Sequence, residues 1–218
     1  MRSAAFFDFD KTLIREESAK VGFLHLRERR MISLLRLAGI GAANELYKRD
    51  RLSDQRMASF MMRYYAGRRP EEFIPESAAF YEEKLKPLLA PRLLTEIEDH
   101  RRKGHRLVMV SAGVRYLLEP AVRDLGFDHL ICTDLEISPD GRYTGRPRGA
   151  ICLCVEKRLR LEEWSRREGV DLRSSYAYGN HQSDIPMLEA VGWPHAVQPS
   201  PKLERIAVRE GWPMLTFD

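Results

Sequence analysis

The stretch Ala4-Ala5-Phe6-Phe7-Asp8-Phe9-Asp10-Lys11-Thr12-Leu13 decides the fold of this chain. Its first four residues are an unbroken apolar run that stops at a carboxylate. A short run of this kind suits a strand covered on both faces, as in a parallel sheet. The same shape recurs at residues 107–110, Leu-Val-Met-Val, which lead into Ser111-Ala112-Gly113. It recurs again at 176–178, Tyr-Ala-Tyr, which lead into Gly179-Asn180. Residues 129–132 and 195–197 are weaker strand candidates. Helical stretches lie between these runs. Leu118 to Leu125 is one, with Pro120 read as part of its first turn. Glu156 to Glu168 is another, with Leu159, Leu161 and Trp164 on its apolar side. Strand and helix in alternation predict an α/β fold with a doubly wound parallel sheet.

Two segments interrupt the alternation. Residues Ile137 to Tyr143 read as a hairpin turned at Asp140-Gly141. Residues 15–90 hold no convincing strand and read as helices. There, Ser53 or Asp54 caps a helix whose Met57, Phe60, Met61, Tyr64 and Tyr65 recur at i, i+3, i+4, i+7 and i+8, a stripe expected to be buried. Pro70 and Pro91 mark further helix starts. The expected organisation is a core domain of residues 1–14 and 91–218 with a helical cap domain of residues 15–90.

The 218 residues are 44% hydrophobic and 31% charged, which excludes a disordered or collagen-like chain. No apolar run reaches the roughly 18 residues a membrane span needs. The N-terminal run meets Asp8 too early for a signal peptide, so the expected location is the cytoplasm. Three cysteines are an odd number, which argues against a disulfide framework. Cys152-x-Cys154 lacks a second pair to complete a zinc site and reads as plain thiols. A net charge of +4, from 36 Lys+Arg against 32 Asp+Glu, is not that of a nucleic-acid binder.

The chemistry gathers where the strong strands end, the edge at which open α/β sheets bind ligands. Asp8 and Asp10 follow the first run, Ser111 the second, and Asn180 and Asp184 the third, while Lys157 opens the helix before it. Asp8 and Asp10 are two apart and face the same way in extended backbone. Two adjacent carboxylates stay ionised only near a cation, and hard oxygen ligands suit Mg2+. Beside such a cation one carboxylate can attack phosphorus, and the other can exchange protons with leaving group and water. Ser111 and Lys157 offer a hydroxyl, backbone N–H groups and positive charge to phosphoryl oxygens.

This ordered set resembles the haloacid dehalogenase-like (HAD) phosphatases, subfamily IB, the branch that includes phosphoserine phosphatases. Asp8-Phe9-Asp10-Lys11-Thr12-Leu13 is similar to the family's first motif and Ser111-Ala112-Gly113 to its second. Glu156-Lys157 is similar to the third, and Gly179-Asn180-His181-Gln182-Ser183-Asp184 to the fourth. The resemblance implies a Rossmann-like core of five parallel strands with a C1-type cap inserted after the first. It also implies a Mg2+-dependent phosphoric monoester hydrolase acting through an aspartyl-phosphate on a small phosphorylated metabolite. By it Asp8 is the nucleophile and Asp10 the general acid/base. Ser111, Ala112 and Lys157 bind phosphate, and Asp8, Asp10, Asn180 and Asp184 surround the metal. Asn180 stands where the family usually has Asp, which removes one charge from the metal site. Glu17 matches a cap glutamate that contacts substrate. The place of the cap arginine of phosphoserine phosphatases falls near Ser59, with Arg56 or Arg63 as substitutes in a poor match, so phosphoserine stays open but is not the favoured substrate.

Three other functions stay open on the sequence. The basic and apolar segment from Arg29 to Ile40 suits peripheral contact with an anionic membrane, which would make the substrate a phospholipid headgroup. The same scaffold also serves phosphotransferases and mutases. Asn180 is compatible with a catalytically weak phosphate-binding regulator. The partner common to these readings is a phosphate ester rather than a nucleic acid, and the motifs do not encode an oligomeric state.

Overall fold

The computed structural model describes residues 2–49 and 51–218. After β1 (Ala4–Phe7) come α1 (Ser18–Glu28), α2 (Leu34–Lys48), α3 (Asp54–Met62) and α4 (Ser77–Phe80), and then α5 (Pro91–Arg102). The chain continues through β2 (Arg106–Val114), α6 (Arg115–Asp124), β3 (His129–Thr133), β4 (Leu135–Ile137) and β5 (Tyr143–Pro147). It ends with α7 (Val155–Glu168), β6 (Tyr176–Gly179), α8 (Ile185–Leu188), β7 (Trp193–Val197), α9 (Pro201–Glu210) and β8 (Met214–Leu215).

The main sheet runs β3-β2-β1-β6-β7-β8, and every pairing in it is parallel. Strand periodicity divides its core in two. Ala5, Phe7, Leu107, Met109 and Tyr178 pack in one cluster; Ala4, Phe6, Val108, Val110 and Ala177 pack in the other. Both sides of β1 are therefore covered, which is why its run is apolar without alternation. β1 lies between β2 and β6, so successive connections leave it in opposite directions and open a crevice beyond its carboxyl end.

Five details differ from the sequence expectation. Leu159, expected on the apolar side of its helix with Leu161 and Trp164, is 51% exposed. The sheet has six strands rather than five, because Met214–Leu215 adds a short edge to β7. β2 does not stop at Ser111 but continues to Val114 through an irregular register. α6 begins at Arg115, which puts Pro120 inside the helix instead of in its first turn. The proline ring then removes the bond to the Tyr116 carbonyl four residues back. Phe60 is 38% exposed, because α3 ends at Met62 and the chain tightens into a 3-10 turn at Arg63–Tyr65, which rotates the two tyrosines inward and leaves Phe60 outside.

The segment between β1 and α5 is helical among the described residues. Ser33 and Ser53 cap α2 and α3 by accepting from the N–H groups of Arg36 and Arg56. The hairpin of β4 and β5 forms its own small sheet, with Gly141 at φ +78° in the turn. Its β5 meets this helical segment, where the Gly67 N–H donates to the Tyr143 carbonyl.

Candidate active site

Asp8, Asp10, Asn180 and Asp184 follow strand ends, Ser111 lies in the last part of β2, and Lys157 opens α7. Asp8 directly follows β1, and its N–H donates to the Tyr178 carbonyl of β6. The chain then folds back tightly: the N–H groups of Thr12, Leu13 and Ile14 all turn to the Phe9 carbonyl. That turn brings the Thr12 hydroxyl to 3.0 Å from Asp8 Oδ2. Asp10 Oδ1 accepts the N–H of Ser18, the first residue of α1, at 2.5 Å.

Lys157, in the first turn of α7, is 2% exposed. Its Nζ lies 2.5 Å from Asp8 Oδ1 and 2.6 Å from Asp184 Oδ1. The other Asp184 oxygen accepts the N–H groups of Asn180 at 3.1 Å and His181 at 2.9 Å. Close approach makes this possible. A Cβ on Gly179 would sit 2.7 Å from the Asp184 Cβ, so only glycine lets the turn after β6 close on that carboxylate.

Ser111 is 1% exposed, and its Oγ accepts from the Gly113 N–H at 3.1 Å. The Thr133 hydroxyl donates to the Ala112 carbonyl at 2.9 Å and holds that peptide. Thr133 in turn accepts from the Cys152 N–H at 3.1 Å. Nothing in the spacing of the chain points to Thr133; its role arises because β3 runs beside β2.

The electrostatics are those of surplus buried negative charge. Burial raises the Asp8 carboxyl above the ordinary range; Asp184 adds to the rise and Lys157 opposes it. Burial also raises Asp10, against the Ser18 N–H that stabilises its anion. Burial alone would lower the Lys157 ammonium, but Asp184 and Asp8 outweigh it and hold the group charged. Glu17 lies near enough to Asp10 to add to its rise, while its own carboxylate meets Lys11 Nζ at 2.5 Å on the surface. Among the described residues no three His, Cys, Asp or Glu side chains form a ready metal cage. A cation here would draw on the Asn180 amide and main-chain oxygen as well as carboxylates.

Comparison with known proteins identifies the family. The sequence profile of the haloacid dehalogenase-like hydrolases matches residues 5–189. A protein of Neisseria meningitidis serogroup C (strain 8013) named histidinol-phosphatase is 30% identical, with all of both chains covered. A crystal structure of a Bordetella pertussis Tohama I protein of unknown function superposes with a TM-score of 0.88 at 30% identity, again with all of both chains covered. A substrate-bound phosphoserine phosphatase superposes with a TM-score of 0.72 at 19% identity, covering 100% of this chain and 94% of that one, and shares the fold.

Proposed function

We propose, because the chain belongs to the haloacid dehalogenase-like hydrolase family and is a phosphatase, that it hydrolyses a small phosphomonoester through an aspartyl-phosphate on Asp8. The observation that carries this reading is the buried bridge of Lys157 between Asp8 and Asp184 at the carboxyl edge of the sheet. Asp8 Oδ attacks phosphorus. Lys157, the Ser111 hydroxyl and the N–H of Ala112 hold the equatorial oxygens, where charge gathers in the transition state. Asp10, kept by burial closer to its protonated form, gives its proton to the leaving oxygen. The carboxylate so formed takes a proton from the water that then attacks phosphorus and frees Asp8.

The donor set fits a hard dication. Asp8 and Asp184 share one ammonium with the Asp10 carboxylate close by, and burial together with this excess negative charge raises Asp8. Mg2+ would be held by Asp8, Asp184, the Asn180 amide oxygen and the main chain of Asp10. When bound it supplies charge that offsets repulsion between Asp8 and a phosphate dianion.

The Neisseria relative's name makes histidinol phosphate the first ester to try. Asp8→Asn should abolish its turnover, and the wild-type enzyme quenched in acid should carry an acyl phosphate on Asp8. An active Asp8→Asn variant would refute the mechanism.

One surface favours a second reading, a phospholipid-headgroup substrate reached by peripheral membrane contact. Among the 15 residues of α2 only Ala43 is buried, and Leu34 and Leu35 are 63% and 85% exposed. Arg29, Arg30 and Arg36 are exposed in the same stretch. No helix among the described residues is long and apolar enough to cross a membrane, so contact would be with the surface alone. Cosedimentation with anionic but not neutral vesicles tests it.

A further inference from the structure

A cavity of about 160 Å³ lies between the cap helices and the core. Asp10, Ala112 and Gly113 line it, so it adjoins the acid and the phosphate-binding turn. α1 leads away from that point. Ser18 bonds Asp10, and Gly22 and His25 follow on the same face four and seven residues later, so His25 lies roughly 10 Å farther along the helix axis.

The walls are aromatic, built by Phe23, Tyr65, Phe73, Phe80 and Tyr116. Tyr65 and Tyr116 satisfy each other through their hydroxyls at 2.8 Å. By contrast, His25 Nδ1 is buried without a hydrogen-bond partner, in a side chain whose ring packs 4.9 Å from Phe80. Burial lowers its pKa, Arg29 and Lys84 add to the drop, and Glu28, whose Oε2 lies 3.9 Å from Nδ1, and Glu76 oppose it. Among the described residues neither Lys nor Arg lines the cavity, while Glu72 and Glu76 do. A carboxylate on the leaving group would find no Lys or Arg here and would face Glu72 and Glu76 instead.

Gly22 adds an independent indication. Glycine inside a helix costs about 1 kcal/mol relative to alanine. Packing does not demand it, since a Cβ there would meet only Phe80 Cζ, at an ordinary 3.9 Å. Its lack of a side chain keeps the cavity open. The volume is close to the roughly 150 Å³ that holds one benzene ring in an engineered apolar cavity.

We propose that this cavity is the leaving-group subsite and selects phosphate esters of ring-bearing, carboxylate-free alcohols, with His25 as the polar contact for a ring nitrogen. This rests on the Asp8 phosphatase reading and adds to it the class of substrate.

The test is kcat/KM for ethyl phosphate, 2-phenylethyl phosphate, phosphoserine and histidinol phosphate. The two alkyl esters have similar leaving groups and differ chiefly by the ring. Burying that ring should favour the phenylethyl ester by about a hundredfold. Phosphoserine should be no better than ethyl phosphate. Gly22→Leu should remove the ring advantage and leave ethyl phosphate within about threefold of wild type. Ala58→Leu, on the α3 wall of the cavity, is a second filling variant should the first not fold. His25→Leu should lower kcat/KM for histidinol phosphate about tenfold and spare the phenylethyl ester. Equal values for ethyl and phenylethyl phosphate in the wild type, or a uniform loss in folded filling variants, would overturn the subsite. Turnover that persists in Asp8→Asn would instead refute the phosphatase reading on which it rests.

Discussion

Lys157 Nζ stands 2.5 Å from Asp8 Oδ1 in a site where both side chains are less than a tenth exposed. Residues far apart in the sequence are thereby locked together at the switch point of the sheet. The ammonium serves two carboxylates, since Asp184 Oδ1 lies 2.6 Å away on its other side. Lys157→Met would leave both anions buried without a countercharge. The expected loss is about 3–5 kcal/mol of stability near neutral pH. Without the ammonium, which opposes the rise, Asp8 would titrate higher still in the fold than in the unfolded chain. The loss should therefore shrink as pH falls and Asp8 protonates, which urea unfolding at pH 8 and pH 5 would show.

Asp8→Asn should behave in the opposite way. The folded-state pKa of Asp8 is raised by burial and by Asp184, so its ionised form costs stability above the unfolded value of 3.8. In EDTA the variant should melt higher than wild type at pH 8, and the difference should fade toward pH 4. Activity should drop about a thousandfold or more. A lower melting temperature for the variant at pH 8 would contradict the surplus of buried charge.

Mg2+ should raise the melting temperature of wild type by mass action on the folded state. Asn180→Asp should tighten that binding by restoring a charge, and Asp184→Asn should weaken it. Isothermal titration of the three proteins with Mg2+ alone gives the order.

Gly179→Ala should damage the site without touching a charged group. The new methyl would sit 2.7 Å from the Asp184 Cβ and push that carboxylate off Lys157 and off the N–H groups of Asn180 and His181. A cost of about 1–3 kcal/mol is expected, together with a fall in kcat. Wild-type kcat in the variant would show that the turn tolerates a wider approach.

Away from the site, His100 sets part of the acid sensitivity. Its Nδ1 lies 2.8 Å from His105 Nδ1 and its Nε2 lies 2.9 Å from the Tyr178 hydroxyl. Burial pushes its pKa down to about 4; His105, Lys103 and His195 add to the drop and Asp99 opposes it. The unfolded chain therefore binds a proton that the folded chain resists between pH 6.5 and 4. Stability from this residue is full above that window and falls by about 3 kcal/mol as pH drops through it. Chemical unfolding of His100→Phe across pH 4–7 should show a shallower acid slope than wild type. An unchanged slope would assign the sensitivity to other groups.

Much of the fold was readable because each buried parallel strand is a short apolar run ending in polar residues, as at Phe7–Asp8 and Tyr178–Asn180. The convergence of Asp8 and Asp184 follows from that pattern, since strand ends share one edge; Lys157 joins them from the first turn of α7. Other features depend on contacts between distant segments. Met214–Leu215 is too short to announce a strand and forms one only because β7 offers an edge. Phe60 fits its helical stripe but is left outside when the chain tightens after Met62. Glu17 pairs with Lys11 on the surface, a contact its position alone does not announce. The cavity is assembled from the helical segment between β1 and α5, the end of β2 and the start of α6, none of which carries a local signal for it.

The most direct test of Asp8 as nucleophile is the stereochemical course at phosphorus, followed with an ester made chiral by oxygen isotopes. Two successive in-line displacements, first by Asp8 and then by water, each invert the centre. The product phosphate should therefore show overall retention of configuration. Overall inversion would mean that water attacks the ester directly, and that Asp8 carries no phosphoryl group.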